Sequence, residues 1–160
     1  MLVSDTGPLN YLIQIECVDL LREITSEVVI PISVLYELKS GLAPDSVQIW
    51  AESLPDWVHV GEDPEVHLDP SSSLSKTDLI VLTLAFEKDA ILLMDERNGR
   101  EMARSMNLTV IGTVGILLLG AELGLVDFPS AMTKLQSTNM FLSPKVIQDA
   151  WARYRVIHPV

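Results

Sequence analysis

The 160-residue chain is 48% hydrophobic and carries 22 acidic residues against 11 Lys and Arg, a formal net charge of −11 at pH 7. Its length suits a single domain over residues 1–160, able to bury roughly 70% of the surface that its unfolded form would expose. The acidic balance argues against strong unaided binding to nucleic acid, whose phosphates are met largely by Lys and Arg, and favours bound cations or a basic partner.

The first strand, residues 1–4, is a short apolar run that ends on Asp5. Pro8 then opens a helix carrying Leu9, Leu12 and Ile13. Cys17 is the one cysteine, which excludes an internal disulfide framework and a multi-cysteine zinc site; it reads as core packing and points to a reducing cytoplasm. Residues 28–30 form a second strand, and Pro31 opens a helix that ends near Gly41, with proline at the entrance and glycine at the exit. Glu37 lies two turns into that helix, among Val34, Leu35 and Leu38 at helical spacing. A third strand covers residues 58–60, and the polar, serine-rich stretch 61–75 is a loop inside the domain.

Ser75 begins a helix to about Lys88, with Asp78 three residues on in a capping-box arrangement. Residues 91–94, "ILLM", form a strand that stops abruptly on Asp95, and Asn98 caps the next helix, to about Met106. A fifth strand over 108–111 leads through a turn into a buried helix. The longest apolar stretch, residues 110–121, is well short of the ~20 residues that cross a bilayer, and no basic region precedes the N-terminal apolar run, so neither membrane insertion nor secretion is expected. The tail carries one helix from Ser130 to about Gln136 and another from Pro144 to about Tyr154, capped by Ser143. Together they make a helical extension over about 128–156.

Strands alternating with helices predict an α/β fold, and strands apolar without alternation predict a mostly parallel sheet covered by helices on both faces. In such sheets ligands bind outside the carboxyl ends of the strands. Asp5 and Asp95 both occupy such ends. Taken singly, an aspartate after a strand starts a turn or caps a helix, Asp78 is a cap, and a mid-helix glutamate is solvated.

As an ordered set, the four segments resemble a PIN domain. The resemblance rests on "VSDTGPL" with Asp5, "VVIPISVLYEL" with Glu37, "LSKTDLIVLTLA" with Asp78 and "ILLMDER" with Asp95, and the downstream "RSMNLTVIGTVGILLLGAELGLV" and "FLSPKVIQDA" extend it. It implies a PIN-like three-layer fold with a helical C-terminal tail. It also implies a divalent-metal-dependent ribonuclease, cleaving RNA through its carboxylates with Mg²⁺ or Mn²⁺. Many such proteins are toxins neutralised by an antitoxin protein, and a homodimer is the assembly implied. Asp5, Asp78 and Asp95 are then metal ligands, and Glu37 is a ligand or the group that orients the attacking water. The family often has a further aspartate after the fourth acid and a Thr or Ser before it, where this chain has Glu96 and Met94. Glu96 and Thr6 are candidate supporting residues.

Arg97, Arg100 and Arg104, at i, i+3 and i+7, share a helix face beside the acids and are candidate RNA contacts. His59, His67 and His158 lack mutual ligand spacing and read as peripheral, and Trp50, Trp57 and Trp151 read as packing. An aspartyl-nucleophile phosphatase would want an acid two residues after Asp5, where Gly7 stands. The acids also do not follow the pattern of a phosphorylated receiver domain. The remaining alternative is a catalytically weak PIN-like module that binds a protein partner.

Overall fold

Five short runs rich in Val, Ile and Leu become the strands β1 (Leu2–Ser4), β2 (Val28–Pro31), β3 (Val58–Gly61), β4 (Ile91–Leu93) and β5 (Val110–Ile111) of a computed structural model that describes residues 1–69 and 73–159. Among the described residues, nine helices fill the intervals: α1 (Thr6–Gln14), α2 (Leu20–Ile24), α3 (Ile32–Lys39), α4 (Asp45–Glu52), α5 (Lys76–Glu87), α6 (Arg97–Ser105), α7 (Thr113–Glu122), α8 (Phe128–Gln136) and α9 (Pro144–Ile157).

The sheet runs β3-β2-β1-β4-β5, and each of its pairings is parallel. Every residue of β1 and β2 is buried, which requires cover on both faces of the sheet and explains why these strands do not alternate. The α/β architecture expected from the sequence is therefore present, with a sheet that is wholly parallel. α5 lies deepest, with seven consecutive buried residues from Leu79 to Ala85, and it packs against β1, β2 and β4. The tail is fastened through Phe128, fully buried, whose ring stacks on Tyr154 at 4.9 Å and meets Trp151 edge-on at 5.3 Å. Such aromatic pairs add about 0.5–1.5 kcal/mol each beyond the area they bury. No helix among the described residues is long and apolar enough to cross a membrane.

The strand order places the chemistry. From β1 the chain moves outward through β2 to β3, then returns to the other flank of β1 with β4 and β5. The direction of winding reverses between β1 and β4, which opens a crevice at their carboxyl ends. Ser4 stands in register with Leu93, and the Asp5 amide donates to the Leu93 carbonyl at 3.0 Å. Asp5 and Asp95 thus leave neighbouring strands at one edge.

Several element boundaries differ from the sequence reading. The first helix starts at Thr6, two residues before Pro8. Glu96, and not Asn98, caps α6: its backbone is still extended, and its carboxylate accepts from the Gly99 amide at 2.6 Å. Asn98 instead donates to the Ser73 hydroxyl. Asp127 caps α8, which begins at Phe128 rather than Ser130. α2 and α4 had no counterpart in the sequence reading; they lie between Cys17 and β2 and between Gly41 and β3. The Ser75–Asp78 capping box and the Ser143 cap form as expected. Residues 70–72 of the 61–75 loop lie outside the described residues.

Candidate active site

Four acids reach the crevice from four different elements. Asp5 follows β1. Glu37 sits on α3, which leaves the carboxyl end of β2. Asp78 sits in the first turn of α5, which runs back from that edge to the start of β4, so its N-terminus returns to the same place. Asp95 follows β4.

Asp5 is the deepest, with 8% of its surface exposed. Its carboxyl is pushed up to about 7, first by burial, then by the negative charges of Asp78, Glu37 and Asp95; a hydrogen bond from the backbone at Thr6 acts in the opposite direction. Burial disfavours an ion and so do like charges nearby, and here both act on one group. Beside it, the hydroxyl oxygen of Thr6 is buried without a hydrogen-bond partner among the described residues. A buried unpaired hydroxyl is uncommon in a folded protein.

Asp95 is built differently. One carboxylate oxygen accepts the Thr113 amide at 2.7 Å and the other accepts the Thr113 hydroxyl at 2.6 Å, which holds the first residue of α7. Arg100 lies alongside, with Nη1 donating to the Met94 carbonyl at 3.1 Å. Burial raises the Asp95 carboxyl, while the two Thr113 bonds and the Arg100 charge pull it back down, and the net direction is upward. Gly112 makes this approach feasible: a side chain there would press within 2.8 Å of both Asp95 Oδ1 and Arg100 Nη1.

The position before Asp95 is occupied by Met94, fully buried beneath Gly99. Thr113 supplies a hydroxyl to Asp95 from another strand end. That residue was absent from the sequence-based candidates, although "IGTVG" places a Gly-Thr pair directly after β5. Tyr11 on α1 is a second one: burial and the Asp95 charge raise its phenol, which places it in the field of the site.

The other candidates fall into place around these. Asp78 accepts the Ser75 amide at 3.0 Å through Oδ2, and its own amide donates to Ser75 Oγ at 3.0 Å, so it caps α5 while facing Asp5. Glu37 is exposed. Glu96 is exposed and occupied in capping α6. Arg100 is half-buried against Asp95, and burial together with the Arg104 charge lowers its basicity. Arg97 and Arg104 are exposed, and Arg97 pairs with Glu101 at 3.5 Å. His59 and His67 lie by Glu27 and Glu65, at 3.7 and 4.0 Å, and His158 lies by the Tyr154 ring.

Such a set offers hard oxygen donors and excess negative charge, which suit Mg²⁺ or Mn²⁺ better than softer ions. The unpaired Thr6 hydroxyl and the raised Asp5 carboxyl fit a positive, oxygen-seeking occupant. Among the described residues, no three of Asp, Glu, His and Cys are close enough to form a ready-made cage. The acids act on Asp5 through their field.

A family model described as a PIN domain (DUF3368) matches residues 1–155. No curated protein matches the chain. Among solved structures, the chain is similar to a PilT N-terminus domain protein from the hyperthermophilic archaeon Sulfolobus solfataricus P2, at 12% identity and a TM-score of 0.46, over 89% of this chain and 100% of the other.

Proposed function

The chain belongs to the PIN-domain family, and on that premise we propose that it is a divalent-metal-dependent ribonuclease acting at Asp5, Glu37, Asp78 and Asp95. PIN domains are generally nucleases and typically bind divalent metals. The observation that carries the reading is Asp5 itself: a buried carboxyl at a strand switch point, faced by acids from three other elements and raised to about 7 by burial and their charge. A structural aspartate gains nothing from such surroundings.

Asp5, Asp78 and Asp95 would hold Mg²⁺ or Mn²⁺, with Glu37 as a further ligand. When bound, the cation neutralises charge on the phosphoryl oxygens and lowers the pKa of water at the site. With its carboxyl raised to about 7, Asp5 would give up its proton on holding a cation, so metal binding would release protons near neutral pH. Asp95 is held by Thr113 in one orientation. Glu37, exposed to solvent, serves equally as the group that orients the attacking water. Arg100 offers a guanidinium to a phosphate beside Asp95, and Arg97 and Arg104 extend that charge along α6. No histidine is needed.

On the same reading the protein is the cytoplasmic toxin of a toxin–antitoxin pair, its net charge of −11 suiting a basic partner. It works as a homodimer through the outer face of the C-terminal helices, where Val156 is 81% exposed. Cleavage of single-stranded RNA in Mg²⁺ or Mn²⁺, abolished in Asp5→Asn, tests the enzyme. Undiminished cleavage in excess chelator would overturn it.

A second reading draws on two observations: both Asp95 oxygens are already bonded to Thr113, and no three ligands converge among the described residues. Both suit a PIN-like binding module with little catalysis. Such a module would leave RNA intact at any metal concentration and still bind its protein partner.

A further inference from the structure

A cleft of about 620 Å³ opens from Asp95 and Arg100 across β5 and α7 to the 140–142 segment and α9. It shares Asp95 with the proposed site, so whatever fills it lies beside the reacting phosphate. We propose that this cleft seats the base and ribose of the nucleotide adjoining the scissile phosphate, with Phe141 as the stacking surface and Arg100 on the phosphate. This rests on the ribonuclease reading and adds to it a subsite for one flanking nucleotide.

Four features favour that occupant. The volume falls in the range of about 300–1,000 Å³ usual for small-ligand pockets. About half of the lining residues are aliphatic, including Ile111, Val114, Leu118 and Val146, as a base face and a ribose require. Phe141 is 86% exposed at the cleft, an aromatic surface left open where a base has an unsaturated face to lay against it. The charged groups, Arg100 and Arg153 against Asp95, Glu122 and Asp149, admit one phosphate but repel a run of them. One nucleotide fits this pattern better than a longer backbone track. Gly112 and Gly115 also line the cleft, and side chains there would press within 2.8 Å of Asp95 and Ile111.

The test uses the full chain, isotopically labelled and titrated with adenosine 5′-monophosphate, alongside cleavage of a short fluorescent RNA in Mg²⁺ by the parent, Phe141→Ala and Phe141→Trp. The nucleotide should shift backbone resonances of Val114, Gly115, Phe141 and Val146. Phe141→Ala should weaken nucleotide binding about tenfold and raise KM by a similar factor with a smaller change in kcat, and Phe141→Trp should restore both. Phe141 is exposed, so neither change threatens the fold. Shifts confined to other surfaces, an unchanged affinity and KM in Phe141→Ala, or a second copy or protein partner covering Phe141 and Val146 would each overturn the subsite. A parent that cleaves no RNA would defeat the ribonuclease reading alone, because the titration still decides whether the cleft takes a nucleotide.

Discussion

Two neighbouring strands end on an aspartate at one edge of the sheet, and the two strand ends have been finished in opposite ways. At the end of β1, Asp5 is buried among like charges beside an unpaired hydroxyl. At the end of β4, Asp95 has a hydrogen-bonded partner for each oxygen and a guanidinium nearby. Position in the fold makes both acids available and burial raises both carboxyls, but only at Asp95 do hydrogen bonds to both oxygens and a nearby guanidinium offset part of that rise. On the proposed reading, the difference separates a carboxylate placed to meet a cation from one that also ties two elements of the fold together.

The largest expected effect tests the first half of that contrast. If Asp5 holds the metal of a ribonuclease as proposed, Asp5→Asn should reduce metal-dependent RNA cleavage by more than about 100-fold, since it would remove a charged ligand and not merely the support of one. The metal-free variant should melt at or above the parent's temperature, because it loses a buried like-charge conflict. A variant that keeps its activity, or loses both activity and fold, breaks the distinction.

The pH dependence of metal-free stability comes next. Asp5 binds its proton up to about pH 7 in the folded chain, against about 4 for an ordinary aspartate in an unfolded one. Between those values the native state holds more protons, so stability must fall as pH rises from about 4 to about 7. The expected loss is on the order of 3 kcal/mol, read by chemical denaturation at several pH values in chelator. Asp5→Asn should flatten most of the slope. Asp95, also raised, contributes with the same sign.

At the other strand end the sign of the mutational effect reverses. Asp95→Ala leaves the Thr113 amide and hydroxyl without their partner and should cost the metal-free protein about 1–3 kcal/mol. An unchanged or raised melting temperature would show that repulsion outweighs the tie to α7. The smallest effect is the sharpest: Thr113→Val, which keeps the side-chain shape and removes only the hydroxyl to Asp95, should cost about 1 kcal/mol in the parent and close to nothing in an Asp95→Ala background. Equal losses in both backgrounds would mean that packing, not the hydroxyl, matters there.

The four acids, though not the contrast between two of them, were legible in the sequence. Apolar runs that stop on a carboxylate are conspicuous, and Asp5, Glu37, Asp78 and Asp95 are recognisable by order and local pattern. Their gathering at one edge then follows from parallel winding. What sequence could not deliver was the division of labour between the two strand ends. Asp95 is satisfied by Thr113, 18 residues on, and that bond depends on β5 lying next to β4 and on Gly112 lacking a side chain. The raised carboxyl of Asp5 is a property of burial, which no local motif records. α2 escaped notice because five residues carry too little periodicity. The cap of α6 shifted from Asn98 to Glu96 because the chain leaves β4 still extended, and a long carboxylate reaches the third amide as well as a short amide side chain would.

The most direct measurement is the anomalous scattering of a crystal soaked in Mn²⁺. The expected result is a peak about 2.0–2.6 Å from a carboxylate oxygen of Asp5, with Asp78, Asp95 or Glu37 drawn toward it, and no such peak in Asp5→Asn. A peak elsewhere, or none at Mn²⁺ concentrations that support RNA cleavage by the same preparation, would contradict the assignment of Asp5 as the residue around which the site is built.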